Sequence, residues 1–498
     1  MTTYFKTMAF FMIVFCWVIV AHLLESGGVM TGVAQLLKER LECQRGAYLL
    51  NPEPNYESRI NDLRTLERFI REQQEAIIIA IDRDYGHRSR HETLFTEIMP
   101  TLDGIKHAIK HLKRWMRPQR RSVDFMTFTG AKNRVIPQPL GVVGVIVPWN
   151  FPVFLTFSPL TFIFAAGNRA MVKMSENSRH LAAVLIEKMP LYFPVEKLQF
   201  FDEQGGVGIA FSKLPFDHLL FTGSSQTGRS VMASAAQNLC PVTLELGGKS
   251  PALVLDDFPL DKAAARILYV KLLNAGQICT TVDYVYLPQQ KINDFLLLAK
   301  SIVAQRYPSI HSMDYTSIID DKSFVRLTQA LLDAQSKGAT LIQLIDGAPW
   351  DADARKIAPH IVLNAPDDCE LMQREIFGPI LPIKGFEDID VVVQEINARP
   401  RPLAFYPFSN DADRVNDLLT RVMSGGVTVN DALFHVAQHD LPFGGVGASG
   451  MGHYHGHEGF VTFSKMRPIF YQTRMSSLMF MMPPYGKRFE RILKFLMR

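Results

Sequence analysis

Cys279 lies in Asn274-Ala-Gly-Gln-Ile-Cys279-Thr-Thr, where Gly276 and Gln277 allow a tight backbone ahead of the thiol. Upstream, Glu245 opens Glu245-Leu-Gly-Gly-Lys249, and Asn150 sits in Pro148-Trp-Asn-Phe-Pro152. Downstream comes Glu375-Ile-Phe377-Gly-Pro379. A thiol, a carboxylate and an amide donor are the parts needed to form, stabilise and hydrolyse a covalent thioester. Each residue alone has a plainer reading. A lone cysteine is usually a small buried hydrophobe. Asn150 alternatively caps the next helix, and a glutamate at a strand end is more often solvated or ion-paired. The combination, rather than any one residue, points to chemistry.

Two further segments could receive a nucleotide. Phe221-Thr-Gly223-Ser224-Ser-Gln-Thr-Gly228 follows an apolar strand and opens a predicted helix, so its backbone N–H groups can approach a pyrophosphate. Its spacing is not GxGxxG, which makes it a weak signal by itself. Val172-Lys173-Met174-Ser175-Glu176 ends another strand with a charge pair, for which a surface salt bridge is the plain alternative.

These motifs, in this order, resemble those of the aldehyde dehydrogenase superfamily, over about residues 40 to 475. The resemblance implies that Cys279 attacks an aldehyde carbonyl to give a thiohemiacetal. Asn150 and the cysteine's own N–H would hold the oxyanion, and Glu245 would activate the water that hydrolyses the thioester. Relatives that pass the acyl group to coenzyme A typically lack this glutamate, so a free acid is the implied product.

For the cofactor, the resemblance places Lys173, Ser175 and Glu176 near the adenosine ribose, and Gly223, Ser224 and Gly228 against the dinucleotide. Glu375 would hold the nicotinamide ribose, with Phe377 near the ring and Trp149 in the same set. Met174 stands where the family has proline. Glu176 would repel a 2′-phosphate, so NAD is expected, with NADP as the alternative. Gly425-Gly-Val-Thr-Val-Asn-Asp431, Pro442-Phe-Gly-Gly-Val-Gly and Tyr454-His-Gly456 look like the coniferyl aldehyde dehydrogenase branch, near the class 3 enzymes. That suggests an aromatic aldehyde; a long-chain fatty aldehyde at a membrane is the alternative. A homodimer is also implied. Two competing readings are a cofactor-independent thiol esterase and a catalytically silent relative. The first leaves Lys173, Glu176 and Glu375 unexplained, and the second requires a lost catalytic residue where none is lost.

The elements that must position these residues are those of an α/β protein. At 498 residues the chain exceeds the size at which one core keeps growing, so several subdomains are expected. The expected architecture is aldehyde dehydrogenase-like. A Rossmann-type cofactor domain takes residues 30–121 and 140–246, and an α/β catalytic domain takes 247–440. A small β oligomerisation element takes 122–139 and 441–475. Residues 30–121 read as helical, with Ile105, Ala108, Ile109, Leu112 and Trp115 at helical spacing. The other face carries Lys106, Lys110, Lys113 and Arg114, a solvated face rather than a nucleic-acid stripe. Short apolar runs at 142–147, 170–173, 198–201 and 218–221 alternate with helix-length segments, the pattern of βαβ units. A second such half begins at Pro251 and includes a helix over 292–305. The glycine-rich stretch 441–452 favours tight loops.

Charge is balanced, with 53 basic and 49 acidic residues and a net charge of +4, so no nucleic-acid partner is implied. The five cysteines are scattered and suit a reduced, cytosol-facing protein. His107 and His111 lie one helical turn apart without a third ligand, and His453, His455 and His457 read as a packed loop; no metal is expected.

The two ends raise the question of a membrane. Thr7 to Leu24 is an almost unbroken apolar run, just long enough to span a bilayer. Lys38, Arg40 and Arg45 outweigh Lys6 and would place the body in the cytoplasm. The alternatives for residues 1–29 are an extension upstream of a start at Met30, or an arm packed on the body. Residues 476–498 form a basic tail. Phe489, Ile492, Leu493 and Leu496 fall on one helical face among Lys487, Arg488, Arg491 and Lys494. Such a helix lies in a membrane interface, or docks on its own domain.

Overall fold

The structure is a computed structural model that describes residues 29–204, 206–474, 479 and 481–497. The apolar run from Thr7 to Leu24, and the membrane-anchor expectation with it, lies outside these residues. Among the described residues no helix is long and apolar enough to cross a membrane.

Two parallel sheets carry the chemistry-bearing segments. In the first, strand Val142–Ile146 lies between Arg169–Lys173 and His218–Thr222, with Leu198–Phe201 and Val242–Glu245 outside them. The edge is closed by the two-residue strand Gly450–Met451, which runs antiparallel to Val242–Glu245. In the second, Tyr284–Pro288 and Pro251–Val254 are central. Ile380–Phe386, His360–Leu363 and an antiparallel Thr340–Gln343 extend it on one side, and Ala404–Phe408 and Gly426–Val427 on the other. Strands covered by helices on both faces lose their polar alternation, and all five residues of Val142–Ile146 are buried.

Helix Phe154–Ala165 follows the Asn150 segment and is buried along its whole length. Hydrophobic all round, it has to lie inside, beneath helices Tyr56–Glu72 and Met99–Trp115. Phe151, Phe154 and Phe157 belong to the core. Helix Met99–Trp115 buries Ile105, Ala108, Leu112 and Trp115 as its spacing predicts and Leu102 besides, while Ile109 is only partly buried. The helical reading of residues 30–121 overreaches at its end. Pro118 has no N–H to continue the helix, and Gln119–Arg121 pairs as a strand with Lys132–Pro139.

Lys132–Pro139 also pairs over its whole length with Ser464–Tyr471, giving a three-stranded antiparallel sheet. The stretch 441–475 is thus divided. Gly450–Met451 joins the first sheet, helix Gly456–Thr462 packs on Phe154–Ala165, and only Ser464–Tyr471 enters the small sheet.

Candidate active site

Cys279 stands in a turn between helix Leu260–Leu272 and strand Tyr284–Pro288, and its side chain is partly buried. The approach to it is a run of left-handed backbone: Asn274 at φ 51°, Ala275 at φ 50° and Gly276 at φ 73°. Such a conformation costs a side-chain-bearing residue about 1–2 kcal/mol, so the surroundings must impose it. The buried carboxylate of Glu92 does so by accepting the Asn274 N–H at 3.1 Å on each oxygen and the Thr316 hydroxyl at 2.7 Å. The Gln277 amide donates to the Asn274 carbonyl at 3.0 Å and the Ser317 carbonyl at 3.1 Å, and its oxygen accepts the Ile319 N–H at 3.0 Å. Gly276 is required, because a Cβ there would run into the carbonyl oxygen of Gly378.

Asn150 follows strand Val142–Ile146, and at 3% exposure it is inside the protein. Its side-chain amide donates to the Gln277 carbonyl at 3.2 Å, so the amide and the cysteine turn are in direct contact. Its own backbone carbonyl is gripped by three donors: the Tyr85 hydroxyl at 3.0 Å, Arg88 Nη1 at 3.1 Å and Asn274 Nδ2 at 3.3 Å. Arg88 is held in turn by Glu97 at 2.8 Å, a fully buried ion pair. The second Glu97 oxygen accepts the N–H groups of Val153 and Phe154, at 2.7 and 2.9 Å, where helix Phe154–Ala165 begins. Carboxylates are favoured at that end of a helix.

Glu245 ends its strand between Thr222 and Gly450. Its carboxyl group is buried and neither oxygen meets a hydrogen-bond partner among the described residues. Burial raises its pKa well above the ordinary carboxylate range. Glu375 packs against Gly247, and burial with the nearby Asp283 pushes its pKa up to about 8, opposed by the Gly248 N–H, Lys249 and Arg326. The Cys279 thiol is pushed up to about 12, first by burial and then by Glu375 and Glu245. The N–H groups of Cys279 and Thr280 pull it back. Thiol, base and second carboxyl therefore share one poorly solvated chamber, in which added positive charge would favour the thiolate. The buried Tyr454 hydroxyl belongs to the same chamber, since Glu245 and Cys279 both raise its pKa.

The other predicted residues divide into two groups. Trp149 and Phe377 meet edge to face with ring centroids 5.4 Å apart beside this chamber, with Phe377 left-handed at φ 53°. Gly223, Ser224 and Gly228 lie at the start of helix Ser225–Ala236, directly after strand His218–Thr222, and the Ser224 hydroxyl caps the helix at Thr227 N–H, 3.2 Å away. A Cβ on Gly228 would come within 2.7 Å of Leu246, so this glycine is also a packing requirement. The surface salt bridge that is the plain alternative for residues 173–176 is not formed. Lys173 is buried at its strand end and pairs with Glu203, whereas Glu176 is exposed and meets Ser175 Oγ at 3.3 Å. Met174 is buried and its N–H donates to the Phe201 carbonyl at 2.8 Å, a bond that proline could not make.

The sequence profile of the aldehyde dehydrogenase family matches residues 53–469. The chain belongs to the aldehyde dehydrogenase family. It is 48% identical over 450 residues to a probable coniferyl aldehyde dehydrogenase of Pseudomonas aeruginosa, covering 90% of this chain and 94% of that one. A coniferyl aldehyde dehydrogenase of a Pseudomonas species is 43% identical over 468 residues, with 93% and 97% covered. Among solved structures, the substrate-bound state of Staphylococcus aureus AldH superposes with a TM-score of 0.87 at 33% identity, covering 92% and 99% of the two chains. The protein is accordingly an aldehyde dehydrogenase that uses a nicotinamide dinucleotide, NAD(P).

The residues present fit that cofactor. A glycine-containing strand-to-helix turn offers backbone N–H groups, and Glu375 has a buried Oε1 with no hydrogen-bond partner among the described residues. As for metals, among the described residues no group of three or more His, Cys, Asp and Glu could hold one. His455 is buried among Phe154, Phe162, Phe443 and Tyr454, and burial pushes its pKa down to about 3.

Sequence reasoning missed Tyr85, Arg88, Glu92 and Glu97. They lie in a stretch whose neighbours are ordinary surface residues, and nothing in their spacing separates buried charges from solvated ones.

Proposed function

We propose that the enzyme oxidises an aromatic, coniferyl-type aldehyde to the free acid, with NAD preferred over NADP. The contact between the Asn150 amide and the Gln277 carbonyl supports the thiol chemistry most directly, because it ties an amide donor to the turn that carries Cys279. The Cys279 thiolate adds to the carbonyl carbon, and the oxygen, now negative, is met by the Asn150 amide and the Cys279 N–H. A bound nicotinamide cofactor supplies the hydride acceptor. The cysteine thiohemiacetal, having lost hydride, becomes a thioester. Glu245 then takes a proton from water as it attacks, and the acid leaves as Cys279 is released. Burial raises the pKa of Glu245, which makes its carboxylate a stronger base once it is ionised.

Lys173, Ser175, Glu176, Gly223, Ser224 and Gly228 would hold the adenosine and pyrophosphate end, and Trp149, Glu375 and Phe377 the nicotinamide end. The exposed Glu176 disfavours a 2′-phosphate. The subdomain boundaries given above, a homodimer built through the small antiparallel sheet, and a cytoplasmic catalytic body associated with a membrane through one or both chain ends complete the reading. A fatty aldehyde as substrate is the second reading, favoured by the exposed apolar face of helix Lys487–Leu496.

The test is NADH formation by purified protein with coniferyl aldehyde, benzaldehyde and a graded series of straight-chain aldehydes, with Cys279→Ala as the blank. Faster turnover of the aromatic substrates is expected. A rate that climbs with chain length would replace the aromatic reading with the fatty one, and equal kcat/KM with NADP would overturn the cofactor preference.

A further inference from the structure

Helix Lys487–Leu496 is the described element whose make-up the fold does not use. None of its residues is buried. Phe489, Ile492, Leu493 and Leu496 share an arc of roughly 100°, while Lys487, Arg488, Arg491 and Lys494 lie on the opposite side around a single apolar residue, Phe495, with Glu490 as the single acid. The apolar surface continues ahead of the helix through Met482 and Tyr485, 60% and 66% exposed, and Tyr485 packs on Phe489 with centroids 4.7 Å apart. A ten-residue helix is marginal in water without something to cover its apolar face.

The charge pattern selects the cover. Docking on the chain's own body would bury the apolar arc, whereas Leu493 is exposed and Phe489, Ile492 and Leu496 are only partly buried. Two copies meeting through their apolar arcs would leave the four bases of each facing outward, with only Glu490 to offset them. A nucleic acid would engage the basic side and leave the apolar side wet. An anionic bilayer surface satisfies both sides at once, with apolar side chains at the acyl boundary and bases among the headgroups.

We propose that residues 482–496 form an interfacial anchor that lies flat on an anionic membrane and holds the enzyme body against it. This rests on the membrane association proposed above and assigns it to the C-terminal helix.

Full-length protein is floated with vesicles of phosphatidylcholine alone and of phosphatidylcholine with one third phosphatidylglycerol. Two double variants run beside it, Phe489→Ser with Leu493→Ser and Arg491→Glu with Lys494→Glu. Binding to the anionic vesicles is expected to exceed that to neutral ones by about tenfold or more, and each double variant to lower it by a similar factor. Turnover of a soluble aldehyde without vesicles should be unchanged in both variants, which verifies that they fold. Equal binding by all three proteins overturns the assignment while leaving membrane association intact through another segment. No binding to any vesicle overturns both. A change of oligomeric mass in the variants without lipid gives the face to a second copy instead.

Discussion

Arg88 donates to the backbone carbonyl of Asn150 at 3.1 Å with the same nitrogen that meets Glu97 at 2.8 Å. The backbone of Asn150, whose side-chain amide meets the cysteine turn at Gln277, is thus anchored by a buried ion pair.

Removing one member of such a pair leaves an uncompensated buried charge. Arg88→Met is expected to destabilise the protein by about 3–5 kcal/mol in chemical denaturation. At a temperature where the variant stays folded, kcat should fall with little change in KM. The loss should largely vanish when the same change is made in an Asn150→Ala background. Additive losses would show that Arg88 acts on something other than Asn150.

A thiol pushed up to about 12 is almost wholly protonated near neutrality. Alkylation of Cys279 by iodoacetamide in cofactor-free protein, followed by mass spectrometry of its peptide, should therefore rise about tenfold per pH unit from pH 7 to 10. A plateau near pH 8 would mean that the chamber favours the thiolate unaided. Adding NAD should raise the rate at fixed pH.

Glu245→Gln removes the proposed base but not the nucleophile. The variant should release one equivalent of NADH per Cys279 in a burst, then turn over about 100- to 10,000-fold more slowly than the parent. A slow phase without a burst would place Glu245 before thioester formation.

Glu375 sets a stability trend with pH. Its folded pKa of about 8 lies above the ordinary 4.5, so the folded state holds this proton more tightly than the unfolded chain does. The stability it contributes is fully present below about pH 4.5 and is lost as pH rises through 8. Glu375→Gln should consequently match the parent's Tm near pH 5 and exceed it at pH 9, in cofactor-free protein. A deficit at pH 9 would show that the ionised carboxylate has a stabilising partner.

The parts of the fold that sequence reasoning reached are those governed by local pattern. Val142–Ile146, Leu198–Phe201 and His218–Thr222 coincide with unbroken apolar runs because sheet strands covered on both faces need them. Helix Ile292–Arg306 ends one residue from its expected limit for the same kind of reason. Contacts between distant segments left no such trace. Lys173 finds Glu203 rather than the nearby Glu176, and Glu92 reaches Asn274 across almost the whole cofactor region. The left-handed turn from Asn274 to Gly276 was signalled only by its glycine, since Asn274 and Ala275 adopt it through partners outside the segment. Likewise the Gly450–Met451 strand is too short to have any period at all.

That short strand bears on how the enzyme is made. Gly450 pairs with Glu245, Met451 pairs with Leu244, and the Leu246 N–H donates to the Ser449 carbonyl at 3.0 Å. The backbone carrying Glu245 thus gains its outer neighbour from residues made much later in synthesis. Synthesis runs from the N-terminus, and early domains begin to fold as they emerge. A ribosome-bound chain will have made Cys279 and Asn150 long before it can fix Glu245 in place. A chain that stops short of residue 450 therefore lacks the strand that flanks Glu245.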